Sequence, residues 1–274
     1  MLLIHGLNTN MAFWHPLLVG ILGRNRRLAM YDQRGHGYSD LPPTGYTTRD
    51  LACDALSVLD AYRIERADII AHSFGSGVAL QLARLHPERV RSIVILDGRI
   101  RLLQPQLKLE EWPDFDRWRS HLDAVGIPLR SDLDLDFTLP LYLQGGDLSE
   151  AGPRLEADGF VVPGSGSRAT AKYRRLIGET SAADDFKSNA GLTLQSLRDL
   201  CCPVLALYGS RSPFLPTLDG LERELPDCRS ELLEIGGHNF PIKFPRQTAS
   251  VICRFLETIS LDERTPAASS PVGT

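Results

Sequence analysis

Ala71-His72-Ser73-Phe74-Gly75-Ser76-Gly77 decides how the rest of this 274-residue chain is read. The short apolar run Ala67-Asp68-Ile69-Ile70 precedes it, and a helical pattern from Val78 to Leu85 follows. A strand, a tight turn with serine at its tip and a helix form a layout that lifts a hydroxyl out of a sheet. Such a turn crowds the positions two before and two after the serine. The usual signature has glycine at both; here they are Ala71 and Gly75. A helix start beside the serine also aims backbone N–H groups at whatever the oxygen attacks.

Outward from this turn, strands and helices alternate. Leu2-Leu3-Ile4 reads as a buried strand, then come His5-Gly6-Leu7-Asn8 and a helical stretch from about Met11 to Leu22. Arg27 to Tyr31 reads as a second strand, ending in the polar turn Asp32-Gln33-Arg34-Gly35-His36-Gly37-Tyr38-Ser39. Thr47-Thr48-Arg49-Asp50 opens a helix whose apolar positions Leu51, Ala55, Val58 and Leu59 share one face. Val90 to Leu96 is a fourth strand, closed by Asp97-Gly98. This order predicts an α/β fold, a mostly parallel sheet with helices on both faces and reactive groups beyond the carboxyl ends of the strands.

The alternation stops between residues 100 and 197, which read as a mainly helical cap insertion. In it, Asp132, Asp134 and Asp136 are expected to be a solvated face. So is the basic run Arg168, Lys172, Arg174 and Arg175, which follows Pro163-Gly164-Ser165-Gly166-Ser167. The sheet pattern resumes with Pro203 to Tyr208, a helix from Leu218 to Leu225, a last strand from Ser230 to Ile235 and Gly236-Gly237-His238. A closing helix carries Val251, Ile252, Phe255, Leu256 and Ile259 on one face. The expected division is therefore a core of residues 1–99 and 198–260, a cap of 100–197 and a disordered tail of 261–274.

Composition narrows the partners. A formal charge of -4 with no basic stripe argues against nucleic acid, and no apolar run reaches membrane-spanning length. Five cysteines without an export signal point to reduced thiols in the cytoplasm. The scattered histidines offer no metal-ligand spacing, so no metal and no cofactor is expected. The expected partner is a small-molecule substrate; oligomeric state is not legible.

The His-Gly loop, the D-x-R-G-x-G-x-S turn, the serine elbow and the Gly-Gly-His turn, in this order, resemble the α/β-hydrolase superfamily. The resemblance implies that Ser73 is the nucleophile and His238 the general base. It implies an oxyanion hole from the backbone N–H groups of Leu7 and Phe74, and it makes Asp32, Arg34 and His36 a structural turn. The family's acid usually ends a G-x-x-D turn after the penultimate strand, where this chain has Gly209-Ser210-Arg211-Ser212. The acid then comes from elsewhere, or the site works as a dyad. Asp97 is the preferred replacement and Asp219 a remote one; on this reading Ser212→Ala changes little.

Certain haloalkane dehalogenases of the superfamily carry their acid where Asp97 stands, and Val90 to Ile100 with Trp112-Pro113 resembles theirs. Ser73 and Phe74, in place of an aspartate nucleophile and a halide-binding tryptophan, disfavour that activity. Family members also have two strands before the His-Gly strand. If these are absent, Arg27 to Tyr31 is the sheet edge.

The implied activity is that of a serine hydrolase (carboxylesterase or thioesterase type) acting on an ester or thioester of a small, largely apolar acid. Trp112, Phe115, Trp118, Phe137 and Phe160 line its pocket or form cap core. Two alternatives stay open: carbon–carbon bond hydrolysis or elimination with the same three residues, and a binding protein of the same fold without catalysis.

Overall fold

The computed structural model describes residues 1–15, 17–107, 115–124, 126, 168–234 and 236–262. Trp112, Phe137, Phe160, the aspartates at 132, 134 and 136, and the 163–167 stretch lie outside them. Strands β1 (Leu2–Ile4), β2 (Ala29–Met30), β3 (Ala67–His72), β4 (Val90–Leu96), β5 (Val204–Gly209) and β6 (Cys228–Leu233) form one sheet in the order β2-β1-β3-β4-β5-β6. Every neighbouring pair is parallel.

Alternation along each strand divides the core in two, because successive side chains leave opposite faces. Leu2, Ile4, Ile69, Ala71, Ile93, Ile95 and Ala206 belong to one cluster. There they meet Leu51, Ala55 and Leu59 of α2 (Thr48–Ala61) and Val78 and Leu82 of α3 (Gly75–Leu85). Leu3, Ile70, Val94, Leu96, Leu205 and Leu207 face the other way. They pack on Leu18 and Leu22 of α1 (Leu17–Leu22) and on Ile252, Phe255 and Leu256 of the closing helix Pro245–Asp262. With both faces covered, the strands read as continuous apolar runs. Helix α2 starts where its chemistry dictates: Thr47 and Asp50 form a reciprocal capping box.

Four expectations shift in detail. The 11–22 stretch divides into a 3-10 turn, Met11–Trp14, and α1. The edge strand β2 keeps only two residues, and β6 begins two residues earlier than its apolar run suggests. The closing helix extends to Asp262. In the β4 to β5 connection, α4 (Phe115–Asp123) buries Phe115, Trp118 and Leu122 in the larger core cluster, so these aromatics serve as packing.

The connection continues with α5 (Arg168–Glu179), α6 (Ala182–Asp185) and α7 (Leu194–Arg198). Lys172 of α5 departs from the solvated-face expectation. Its ammonium donates to the carbonyls of His36 (3.2 Å), Gly37 (2.9 Å) and Ser39. Three carbonyl dipoles converging on one cation make a clamp between α5 and the glycine-rich turn. Asp185 adds a second tie by accepting from the Tyr46 N–H at 2.9 Å. Among the described residues, no helix is long and apolar enough to cross a membrane.

Candidate active site

The sheet changes direction between β1 and β3: from β1 the chain steps outward to β2, then returns to the other side of β1. In an open α/β sheet this leaves a crevice at the carboxyl ends of the strands. His5, Ser73, Asp97, Ser212 and His238 all follow strands at that edge.

Ser73 sits at φ +55°, the left-handed region that a non-glycine residue seldom adopts. Its N–H donates to the Leu96 carbonyl (3.0 Å) and its carbonyl accepts from the Ser76 N–H (3.0 Å), so the turn is pinned on both sides. Gly75 is required here, since a Cβ would lie 2.7 Å from the carbonyls of both Ile4 and His5. Ala71 is fully buried and its methyl is accommodated where the usual signature has glycine.

The His-Gly loop lies against this turn: a Cβ on Gly6 would be 2.8 Å from that of Ser73. His5 fixes its conformation. The ring Nε2 accepts from the Gln33 N–H (3.0 Å), so the proton is on Nδ1, which donates to the Gly6 carbonyl at 2.7 Å. In a trans peptide the N–H points opposite to the carbonyl. Holding the Gly6 carbonyl therefore fixes the direction of the Leu7 N–H. The side chains of Leu7 and Phe74 pack against Tyr46, Tyr173, Leu176 and Phe186, with the Phe74 and Phe186 rings edge to face at 4.9 Å.

Asp97 is completely buried at φ +49°. Its Oδ1 accepts from the Gly209 N–H (3.1 Å), while Oδ2 accepts from the Ser212 hydroxyl (2.8 Å) and meets His238 Nδ1 at 2.9 Å. Asp97 and His238 are thus brought together, whereas Asp219 is exposed on the helix Leu215–Glu224. Gly209 allows the turn after β5 to touch Gly236, whose carbonyl a Cβ would overlap and which accepts from the Arg211 N–H at 3.1 Å.

His72 belongs to the site without having been expected there. Its ring is stacked between Phe13 (4.3 Å) and His238 (4.7 Å), and its Nε2 donates to the His238 carbonyl at 3.1 Å. Its Nδ1 is buried without a partner, the unprotonated nitrogen of a neutral ring. Burial first, then the neighbouring His238, lowers its pKa well below the usual imidazole value. Burial also lowers His5 to about 4 and His36 to about 3. His238 keeps 21% of its side chain exposed, against the edge of Phe214 at 5.0 Å. Among the described residues, no group of His, Cys, Asp and Glu is arranged to hold a metal.

The three buried rings fix a pH dependence. Each binds a proton more readily unfolded, near 6.5, than folded, so protonation favours unfolding. Their contribution is complete above pH 6.5 and is lost as pH falls toward 4, by up to about 1.4 kcal/mol per ring per unit. Chemical denaturation at pH 7, 6, 5 and 4 is expected to show a steep fall in stability below 6.5. A flat profile from 7 to 4 would mean that these rings are not held neutral.

A family model described as "alpha/beta hydrolase fold" matches residues 1–245. The 2-hydroxymuconate semialdehyde hydrolase of Pseudomonas sp. (strain CF600) is 41% identical over 99 residues, 35% of either chain. The 2-(acetamidomethylene)succinate hydrolase of Mesorhizobium japonicum (strain LMG 29417 / CECT 9101 / MAFF 303099) is 26% identical over 261 residues, 94% of this chain and 87% of the relative. A solved thermophilic esterase from Thermogutta terrifontis superposes with a TM-score of 0.67 at 18% identity, covering 94% of this chain and 89% of its own.

Proposed function

The chain belongs to the alpha/beta hydrolase fold family, and on that premise we propose that it is a serine hydrolase cleaving an ester or thioester of a small, largely apolar substrate through an acyl-enzyme on Ser73. The observation that carries this reading is the 2.9 Å contact between the buried Asp97 carboxylate and His238 Nδ1, in a chain that also holds Ser73 at a strained turn. Asp97 accepts a hydrogen bond from the Nδ1–H, leaving Nε2 free to act as base. Ser73 Oγ attacks the carbonyl carbon as its proton passes to Nε2, and the Leu7 and Phe74 N–H groups stabilise the oxyanion. The intermediate collapses as His238 protonates the leaving alcohol or thiol. Water, deprotonated by the same imidazole, then releases the acid and restores Ser73.

The apolar surroundings of Leu7 and Phe74 support an apolar acyl group, and the relatives' names support hydrolysis. We assign residues 1–99 and 198–260 to the catalytic core and 100–197 to the cap. The five free cysteines support a reducing, cytoplasmic setting.

A fluorophosphonate probe is expected to label the folded protein, and Ser73→Ala is expected to abolish labelling. Unlabelled folded wild type would overturn the reading. One observation favours a second reading, carbon–carbon bond hydrolysis with the same residues: the semialdehyde hydrolase similarity at 41% identity. Assaying purified protein on acyl esters, thioesters and vinylogous diketones separates the two by which class has the highest kcat/KM.

A further inference from the structure

Ser212 occupies the turn position where a carboxylate is usual, and its contacts give it a larger part than the small effect the sequence leads us to expect of Ser212→Ala. Its N–H donates to the Gly209 carbonyl at 3.0 Å. The turn is also tied to the end of β6 by the Ser210 N–H to the Leu233 carbonyl (2.9 Å). The side chain is buried, and its Oγ accepts from the Phe214 N–H (3.0 Å) while donating to Asp97 Oδ2 (2.8 Å). A hydroxyl has one proton. With Phe214 supplying its incoming bond, that proton is committed to Asp97.

We propose that Ser212 is a positioning residue that fixes the Asp97 carboxylate, and through it the His238 ring, for the hydrolytic reaction. This inference rests on the serine-hydrolase reading above. Three donors, from Gly209, Ser212 and His238, hold the carboxylate in one rotation, and two of them come from the turn after β5. The departure at this position thus moves the charge to the end of β4 and leaves a neutral donor to orient it. The same oxygen anchors the backbone of Phe214, whose ring packs edge to face with that of His238.

The bond to Ser212 also draws on the negative charge that Oδ2 offers His238. Removing the donor leaves Oδ2 to His238, which strengthens that bond while freeing the carboxylate to rotate. The other groups facing this pair remain unchanged: His72 stacked on the ring, the Tyr208 hydroxyl donating to the Gly98 carbonyl, and the exposed Arg211 in the same turn.

The test is the NMR chemical shift of the His238 Nδ1 proton in the full chain, assigned with His238→Gln, alongside steady-state kinetics. For Ser212→Ala this resonance is expected to move downfield of wild type, as the Nδ1–H bond to Oδ2 loses its competitor. Its kcat is expected to fall about tenfold with KM unchanged, the scale of one hydrogen bond to a charged group. Ser212→Cys, with a weaker donor, is expected to fall between the two. A residue that merely caps Phe214 would lower thermal stability and leave the resonance where it was. An unshifted resonance and unchanged kcat in both variants overturn the proposal. The probe labelling of Ser73 reads the underlying reaction separately. A shifted resonance with unreactive Ser73 keeps the hold of Ser212 on Asp97 and removes the hydrolase reading; an unshifted resonance with reactive Ser73 does the reverse.

Discussion

His238→Ala is expected to lower kcat on any acyl substrate by about a millionfold while changing KM only a few-fold, the scale seen when the base of such a triad is removed. The base and the nucleophile act as a unit: without an acceptor for its proton, Ser73 attacks as a neutral hydroxyl. What survives is the part that needs no proton transfer, namely substrate binding and backbone donors aimed at the oxyanion. The ring leaves a slot between the face of His72 and the edge of Phe214. Losing these ring contacts costs about 1 kcal/mol of stability, so the variant is expected to fold. Added imidazole, which fits such a slot, is expected to recover part of the rate. The measurement is single-turnover acylation with and without imidazole. A variant within tenfold of wild type would remove His238 from the role of base.

That expectation could be written from the sequence because the elements carrying it announce themselves locally. A parallel sheet covered on both faces needs strands apolar at every position. Ile93 to Leu96 and Val204 to Tyr208 meet that demand and are legible as short apolar runs. Once the strands are placed, the residues just after them must crowd one edge of the sheet. Ser73 is legible from its own strand, turn and helix, whereas the parts of Asp97 and His238 follow from the resemblance to the α/β-hydrolase superfamily.

What stayed hidden depends on contacts between remote segments. Ser212 and Asp97 are 115 positions apart, and nothing local says that a serine after β5 donates to a carboxylate after β4. The clamp from Lys172 to the 36–39 turn crosses 136 positions, so a lysine among arginines on a helix read as a solvated face. His72 is a third case. A histidine inside a buried strand is usually packing, and its stack on His238 appears only when β3 and the Gly-Gly-His turn meet. Strand ends also blurred: β2 keeps only Ala29 and Met30, and Arg27, read as its start, lies outside it with its guanidinium on the Tyr62 carbonyl.

Asp97→Asn is expected to reduce kcat by about four orders of magnitude with the fold intact, and its cause lies in which nitrogen of His238 carries the proton. In the native site Oδ2 accepts from both Ser212 and His238, and Oδ1 accepts from Gly209. An asparagine has one oxygen for these three donors. If that oxygen stays on the Gly209 N–H, the amide NH2 faces His238 Nδ1 and Ser212, whose oxygen can accept a second bond beside that from the Phe214 N–H. The amide N–H then donates to Nδ1, which moves the imidazole proton to Nε2, the nitrogen needed to take the proton of Ser73. If the amide turns the other way, its NH2 opposes the Gly209 N–H in a fully buried pocket, leaving donor against donor. The first arrangement costs less, so the protein folds with the wrong tautomer. Probe labelling of Ser73 is expected to slow in step with kcat, and the deficit to shrink as pH rises and hydroxide replaces the missing base. Asp219→Asn, on the exposed face of the helix after Ser212, is expected to match wild type. If the exposed aspartate proved the damaging one and Asp97→Asn kept its rate, the acid would lie outside the cluster of Gly209, Ser212 and His238, and the hydrogen bonds around Asp97 would be scaffold alone.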